Sequence, residues 1–417
     1  MFIRQKICLL NDSFSPQIDG VANTVLNYAK HIEERGGSAM VVTPAYPSAD
    51  DSRFHFPIVR YPSINFVMME AYRAGIPFSP AVASKLRERG ITLLHSHCPI
   101  VSNILARELR HIVELPLVMT YHTKFDVDIR NVIKNETLRE LCIKALVENV
   151  SASDEVWAVS RGAGENLRSL GYEGDIIVMP NGVDVPCARV SDERIRATTE
   201  GYDLPEGVPV YLFVGRMMWY KGVRISLDAL AKLSAQGKDF RMVLIGKGDD
   251  QSDMEAYAKK LGIGDKCIFT GAIYDRDALR AWYCRADLFL FPSTYDTNGL
   301  VVREAAASAL ASVLIRGSCA AEDITDGRNG FLVEENAESL ASCLLALYQN
   351  REKMRAVGEC AQREIYLSWH DAVGLAMERY EVVRDRFARG LYPKQKNKLE
   401  NLMQFSAAWM KAFSQKK

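Results

Sequence analysis

Short apolar runs rich in β-branched residues alternate with helical stretches along nearly the whole chain, and the series occurs twice. Strands are expected at 7–10, 39–43, 92–95, 117–121, 155–159 and 176–179, then at 210–214, 242–245, 267–270, 288–291, 313–315 and 331–333. Helices are expected between them, for example at 24–35, 137–152 and 223–235. Strands this short and this continuously apolar are buried on both faces, which requires helices on either side of a parallel sheet. The pattern therefore predicts an α/β chain of two doubly wound parallel-sheet domains. A length of 417 residues suits two such domains. The polar, turn-rich stretch 180–209 is the expected seam, giving domains over 1–185 and 186–375 and terminal helices over 376–417.

Composition removes several classes of function. Lys+Arg and Asp+Glu balance at 52 each, so no global basic field exists to hold a nucleic acid. The nine cysteines are scattered without a C-x-x-C pair, which points to reduced thiols in a cytoplasmic protein. The apolar stretch before Asn11-Asp12 is too short for a signal peptide, and no run of 18 apolar residues occurs. Any membrane contact is expected to be peripheral, at the inner face.

In open parallel sheets the ligand sits beyond the carboxyl ends of the strands, and two segments there carry chemistry. The stretch from Pro292 to Ala307 follows one strand and enters a helix near Gly299. The N–H groups of Gly299, Leu300 and Val301 then form a helix N-terminus suited to an anion, with Asn298 beside it. Asp296 precedes this terminus and Glu304 lies within the helix, placing a carboxylate on each side of a bound phosphate. The second segment runs from Phe213 to Gly222, where Arg216 ends a strand and Lys221 precedes a helix. Two cations there can clamp a diphosphate and stabilise charge on a leaving nucleotide.

Together these residues resemble the family 4 retaining glycosyltransferases of GT-B fold, in which two Rossmann-like domains face a central cleft. The resemblance spans about 6–380. Asp296 and Glu304 occupy the acidic positions of that family's E-x7-E motif, with Asp replacing the first Glu. Arg216 and Lys221 match its Gly-Arg…Lys-Gly motif. Ser160-Arg161, Pro180 to Asp184 and Thr120 to Thr123 resemble segments of its N-terminal domain, the last carrying an active-site histidine at His122. Asp19-Gly20-Val21 resembles its glycine loop, with Asp-Gly in place of Gly-Gly.

The resemblance implies an N-terminal acceptor domain and a C-terminal nucleotide-sugar domain. It assigns Glu304 to the donor ribose, Asp296 to the sugar hydroxyls, His122 to the transferring sugar, Gly20 to the donor phosphates and Ile273 to the base. It implies retention of configuration with no metal or other cofactor. UDP-glucose is the favoured donor, and GDP-mannose remains open. The neighbourhood of His122 is similar to bacterial diacylglycerol glucosyltransferases, so a membrane lipid is one candidate acceptor. A sugar phosphate, a thiol precursor or a polysaccharide is the alternative, and a nucleotide-sugar epimerase or hydrolase is a further one.

Other signals carry less. Asp126-Val127-Asp128 and Asp275-Arg276-Asp277 have the Asp-x-Asp form of metal-dependent transferases but do not directly end apolar strands. Gly246-Lys247-Gly248 is a partial dinucleotide fingerprint, lacking the last glycine because Gln251 stands there. His95-Ser96-His97-Cys98 is expected to be a strand end lining the cleft. From Lys394 onward the chain is basic with an apolar stripe including Trp409 and Phe413. Such a helix either lies on an anionic membrane or packs on the N-terminal domain. The apolar run Phe66 to Met69 and the mixed stretch 124–134 also suit a membrane surface.

Overall fold

The computed structural model describes residues 4–17, 19–65 and 73–393, except the side chains of 127, 128, 131 and 132. The apolar run at 66–69 and the basic tail from 394 lie outside the described residues. The chain forms two compact units: residues up to Asn181 together with those from Trp369, and the span Gly182–Ser368.

In the first unit β1 (Lys6–Leu10) leads through α1 (Gly20–Glu34) to β2 (Ser38–Pro44) and β3 (Ile58–Tyr61). A small antiparallel pair, β4 (Ser63–Asn65) and β5 (Arg73–Gly75), precedes α2 (Pro80–Arg89). There follow β6 (Leu93–Ser96), α3 (Val101–Val113), β7 (Leu117–Tyr121), α4 (Phe125–Val132) and α5 (Glu136–Ser151). β8 (Glu155–Ala158), α6 (Arg161–Ser169) and β9 (Ile176–Val178) complete the sheet. Its strand order is β3-β2-β1-β6-β7-β8-β9, with every pairing parallel.

The second unit contains α7 (Asp192–Thr199), β10 (Val210–Val214), α8 (Val223–Ala235), β11 (Arg241–Ile245), α9 (Gln251–Lys260) and β12 (Cys267–Gly271). It continues with α10 (Arg276–Arg285), β13 (Leu288–Phe291), α11 (Leu300–Ala307), β14 (Ser312–Ile315) and β15 (Phe331–Val333). Helices α12 (Ala337–Leu347) and α13 (Arg351–Glu364) close it. Its order is β12-β11-β10-β13-β14-β15, again all parallel.

Both sheets reverse direction beside their first strand, at β1/β6 and at β10/β13, which is the crevice where doubly wound folds take ligands. Every residue of β10 and β13 is buried, as strands covered on both faces must be. All twelve expected strands are present. The unexpected β3 is an edge strand whose apolar run is interrupted by Arg60, ion-paired to Asp51 at 2.7 Å. Helix α1 starts four residues earlier than its apolar periodicity suggests, because Asp19 caps it.

The last described helix, α14 (Trp369–Ala388), belongs to the first unit and packs on α1. Arg379 donates two hydrogen bonds to the buried Glu155 carboxylate, at 2.8 and 2.6 Å. Tyr380 is fully buried, stacks on Trp157 and shares a 2.6 Å hydrogen bond with His95 Nδ1. The described part of 376–417 therefore packs within that unit. Among the described residues no helix is long and apolar enough to cross a membrane.

Candidate active site

The second unit carries its candidate residues on segments that leave the carboxyl ends of β10, β12 and β13, and on α11, which follows β13. Lys221 Nζ lies 2.5 Å from Asp296 Oδ1, and Ser293 Oγ donates to Asp296 Oδ2 at 2.5 Å. Both oxygens of Asp296 are thus engaged, and the Lys221 side chain keeps only 10% of its surface. The Lys221 ammonium sits 5.7 and 5.8 Å from the ring centres of Tyr220 and Tyr295, which supply further cation–π attraction. Arg216 is exposed, its guanidinium 5.8 Å from the Tyr220 ring.

Glycines bring these loops together. Gly222 has φ +77°, and a Cβ there would stand 1.9 Å from the Pro292 carbonyl oxygen. No side chain could be accommodated between the loops carrying Lys221 and Asp296. Gly246 and Gly248 act similarly, their would-be Cβ atoms meeting the carbonyls of Gly215 and Met217 at 1.8 and 2.3 Å. The partial dinucleotide fingerprint is thereby explained as close backbone packing behind Arg216.

Gly299 is the N-cap of α11, in the left-handed conformation at φ +57°. A Cβ would press on Ala320 at 2.9 Å, so Gly299 meets both a conformational and a spatial demand. Being glycine, this N-cap supplies no side-chain cap of its own. The first-turn N–H groups, including Leu300 and Val301, have no carbonyl one turn back within the helix. The Nδ2 of Asn298 is buried and has no hydrogen-bond partner among the described residues. Donors collected at a helix N-terminus form a site for an anion.

Glu304 is mostly buried further along α11, where Tyr283 donates to it at 3.0 Å and Arg276 stands 3.9 Å away. Burial raises its carboxyl pKa above the ordinary value, Tyr283 and Arg276 oppose that shift, and Asp184 adds to it. Ile273 follows β12, half-buried against the core of this unit. Of the Asp-x-Asp triplets, Asp275 caps α10 by accepting from the N–H groups of Asp277 and Ala278, and pairs with Arg194 at 2.6 Å. The side chain of Asp128 lies outside the description.

In the first unit His122 follows β7 and is 5% exposed, its Nε2 3.0 Å from His97 Nδ1. His95 Nε2 bonds Thr120 Oγ1 at 2.7 Å. Desolvation lowers the pKa of all three histidines, taking His122 down to about 3, so each is neutral at physiological pH. Sequence spacing places His95 and His97 at one strand end, but their contact with His122 depends on β6 and β7 being neighbours.

Gly20 is the exposed first residue of α1, with open space where a Cβ would be. The preceding Asp19 accepts from Val21 and Ala22 N–H at 2.9 and 2.7 Å, so this helix N-terminus already holds a carboxylate. Sequence reasoning missed Asp12, which is half-buried after β1 and accepts from Val101 and Ser102 N–H at 3.0 and 2.7 Å. It caps α3 from a distant strand, a relation no local motif records.

Two family models cover most of the chain. The one for family 4 glycosyltransferases matches residues 18–185, and the one for glycosyl transferases group 1 matches 195–364. A GDP-mannose-dependent alpha-mannosyltransferase of Corynebacterium glutamicum is 26% identical over 350 residues, covering 79% of this chain and 76% of that protein. An alpha-monoglucosyldiacylglycerol synthase of Streptococcus pneumoniae is 24% identical over 312 residues, covering 73% and 69%. Among solved structures, Anabaena Alr3699/HepE in complex with UDP superposes with a TM-score of 0.73 at 19% identity, covering 91% of this chain and all of that one. With the strand orders described above, these matches establish that the chain belongs to glycosyltransferase family 4, with the paired α/β domains of the GT-B fold.

Proposed function

We propose that this glycosyltransferase moves a hexose, with glucose favoured, from a nucleotide diphosphate sugar to an acceptor hydroxyl, retaining configuration and requiring no metal for the transfer. The observation that carries the reading is the Lys221–Asp296 pair beside the N-terminus of α11, which begins on Gly299, with Glu304 mostly buried in the same helix. Lys221, Arg216 and the first-turn amides of α11 suit a diphosphate, and the two carboxylates suit hydroxyl groups.

In the proposed step the bond between the anomeric carbon and the diphosphate oxygen breaks, and its electron pair leaves on that oxygen. The acceptor oxygen forms the new bond from the same face, and its proton passes to the departing phosphate. Lys221, Arg216 and the α11 amides stabilise the growing negative charge. His122 is neutral and serves as a polar contact for the sugar. Catalysis rests on position and preorganised charge, without a protein nucleophile.

A membrane lipid such as diacylglycerol is the proposed acceptor, supported by the pneumococcal relative's name and by the basic apolar tail in the sequence. The protein would then act peripherally at the cytoplasmic face. The test is transfer of labelled glucose from UDP-glucose into organic-extractable material, using diacylglycerol in anionic vesicles with EDTA present. Label in the lipid phase, lost in Glu304→Ala, is expected. Release of UDP without lipid label would redirect the acceptor to a soluble hydroxyl. A second reading, GDP-mannose as donor, is favoured by the corynebacterial relative and is tested by exchanging the labelled donor.

A further inference from the structure

We propose that His31, Glu34 and His370 form a binding site for a divalent transition-metal cation of the zinc type, which clips α14 to the end of α1. Each residue offers one ligating atom, and the three atoms lie within 4.8 Å of one another. His31 and Glu34 share the last turn of α1 at i, i+3 spacing, with His31 Nδ1 already 2.6 Å from Glu34 Oε2. His370 is the second residue of α14, and its ring centre lies 6.0 Å from that of His31 at 85°.

The packing of α14 on α1 holds these groups in place without a metal. Tyr28, one turn before His31, packs edge-on against Trp369, one residue before His370. Arg35 Nε donates to the His370 carbonyl at 2.8 Å, and Gly374 leaves the room that the Arg35 guanidinium fills. Ligands presented by two packed helices are preorganised for a metal.

Two imidazoles and one carboxylate match the nitrogen and oxygen set that zinc takes, with water completing a tetrahedron. Magnesium or calcium would require more oxygen ligands. Around the site Lys30 and Arg35 oppose a cation, whereas Asp371 and the negative end of the α1 dipole favour one. His31 is buried, but Glu34 and His370 are exposed, so an ion can enter from water and keep a water ligand. None of the three residues belongs to the glycosyl-transfer motifs.

The test uses the full-length, tag-free chain, stripped with a chelator and titrated with Co2+ and then Zn2+. One Co2+ per chain is expected, with an absorption spectrum of nitrogen and oxygen coordination and no thiolate charge-transfer band. Zn2+ should displace it and raise the thermal midpoint. His370→Ala and Glu34→Gln should each weaken binding by at least about tenfold, since even outer-shell partners carry that much. Both changes are at exposed residues, and each variant should keep its metal-free midpoint. Unchanged binding in both variants would overturn the proposal. So would a thiolate band, which assigns the ion to cysteines, or no retention of Co2+ by the wild-type chain at micromolar concentration.

Discussion

Lys221 and Asp296 neutralise each other across 2.5 Å, although 75 residues separate them in the sequence. Asp is one methylene shorter than the family's Glu, and here it turns to the lysine and to Ser293. Asp296→Ala should therefore disturb the lysine as well as any sugar contact. A loss of about 10²–10³-fold in kcat is expected, the range seen when one preorganised transition-state donor is removed. Steady-state kinetics on Asp296→Ala, Lys221→Ala and the double variant checks this. The double variant should lose less than the product of the single losses, because the two residues act as a unit.

Glu304 carries opposite consequences for stability and for activity. Its pKa is raised by burial, so its contribution to stability is present below its unfolded value and is lost as pH rises through the folded one. Glu304→Gln should thus be more stable than the wild type at pH 7.5, with the gain shrinking as pH falls toward 4.5. The same substitution should raise the donor KM by about 10–100-fold, the scale of one hydrogen bond to a charged group. Urea melts across pH and donor titrations test the two halves separately.

The histidines at the carboxyl ends of β6 and β7 predict acid sensitivity. His95, His97 and His122 have folded pKa values below their unfolded ones, so their contribution is present above about pH 6.5 and declines as pH falls. Each histidine that takes a proton only on unfolding lowers stability by up to about 1.4 kcal/mol per pH unit. Chemical denaturation at pH 7.5, 6.5 and 5.5 measures this. The pH–rate profile should show no limb from His122 between pH 5 and 8.

Asp19 occupies the α1 N-terminus with its own carboxylate. If donor phosphates approach Gly20, Asp19→Gly should lower the donor KM by removing a like charge. Losing the cap for glycine should cost only a few tenths of a kcal/mol in stability. A donor KM left unchanged by the substitution would show that the phosphates do not approach this helix.

The strands were legible because fully buried parallel strands leave uninterrupted apolar runs, as in Val210 to Val214 and Leu288 to Phe291. β3 was not, since Arg60 breaks its run at a sheet edge. The places of Arg216 and Lys221 after β10, and of Gly299 at the start of α11, could be read from the sequence alone. The pairing of Lys221 with Asp296 could not, because it depends on β10 and β13 being neighbours despite two strands between them in sequence. The same holds for Asp12 on α3 and for Tyr283 on Glu304, contacts made by tertiary crossing rather than local spacing.

The first unit is completed by α14, which the chain reaches only after the whole of Gly182–Ser368. During synthesis at about 5–20 residues per second, the unit that begins first is therefore the one that finishes last. The second unit, being one uninterrupted stretch, has left the ribosome before Arg379 can meet Glu155 or Tyr380 can meet Trp157. A chain truncated after Ser368 would carry a complete second unit joined to a first unit whose α1 flank lacks its covering helix.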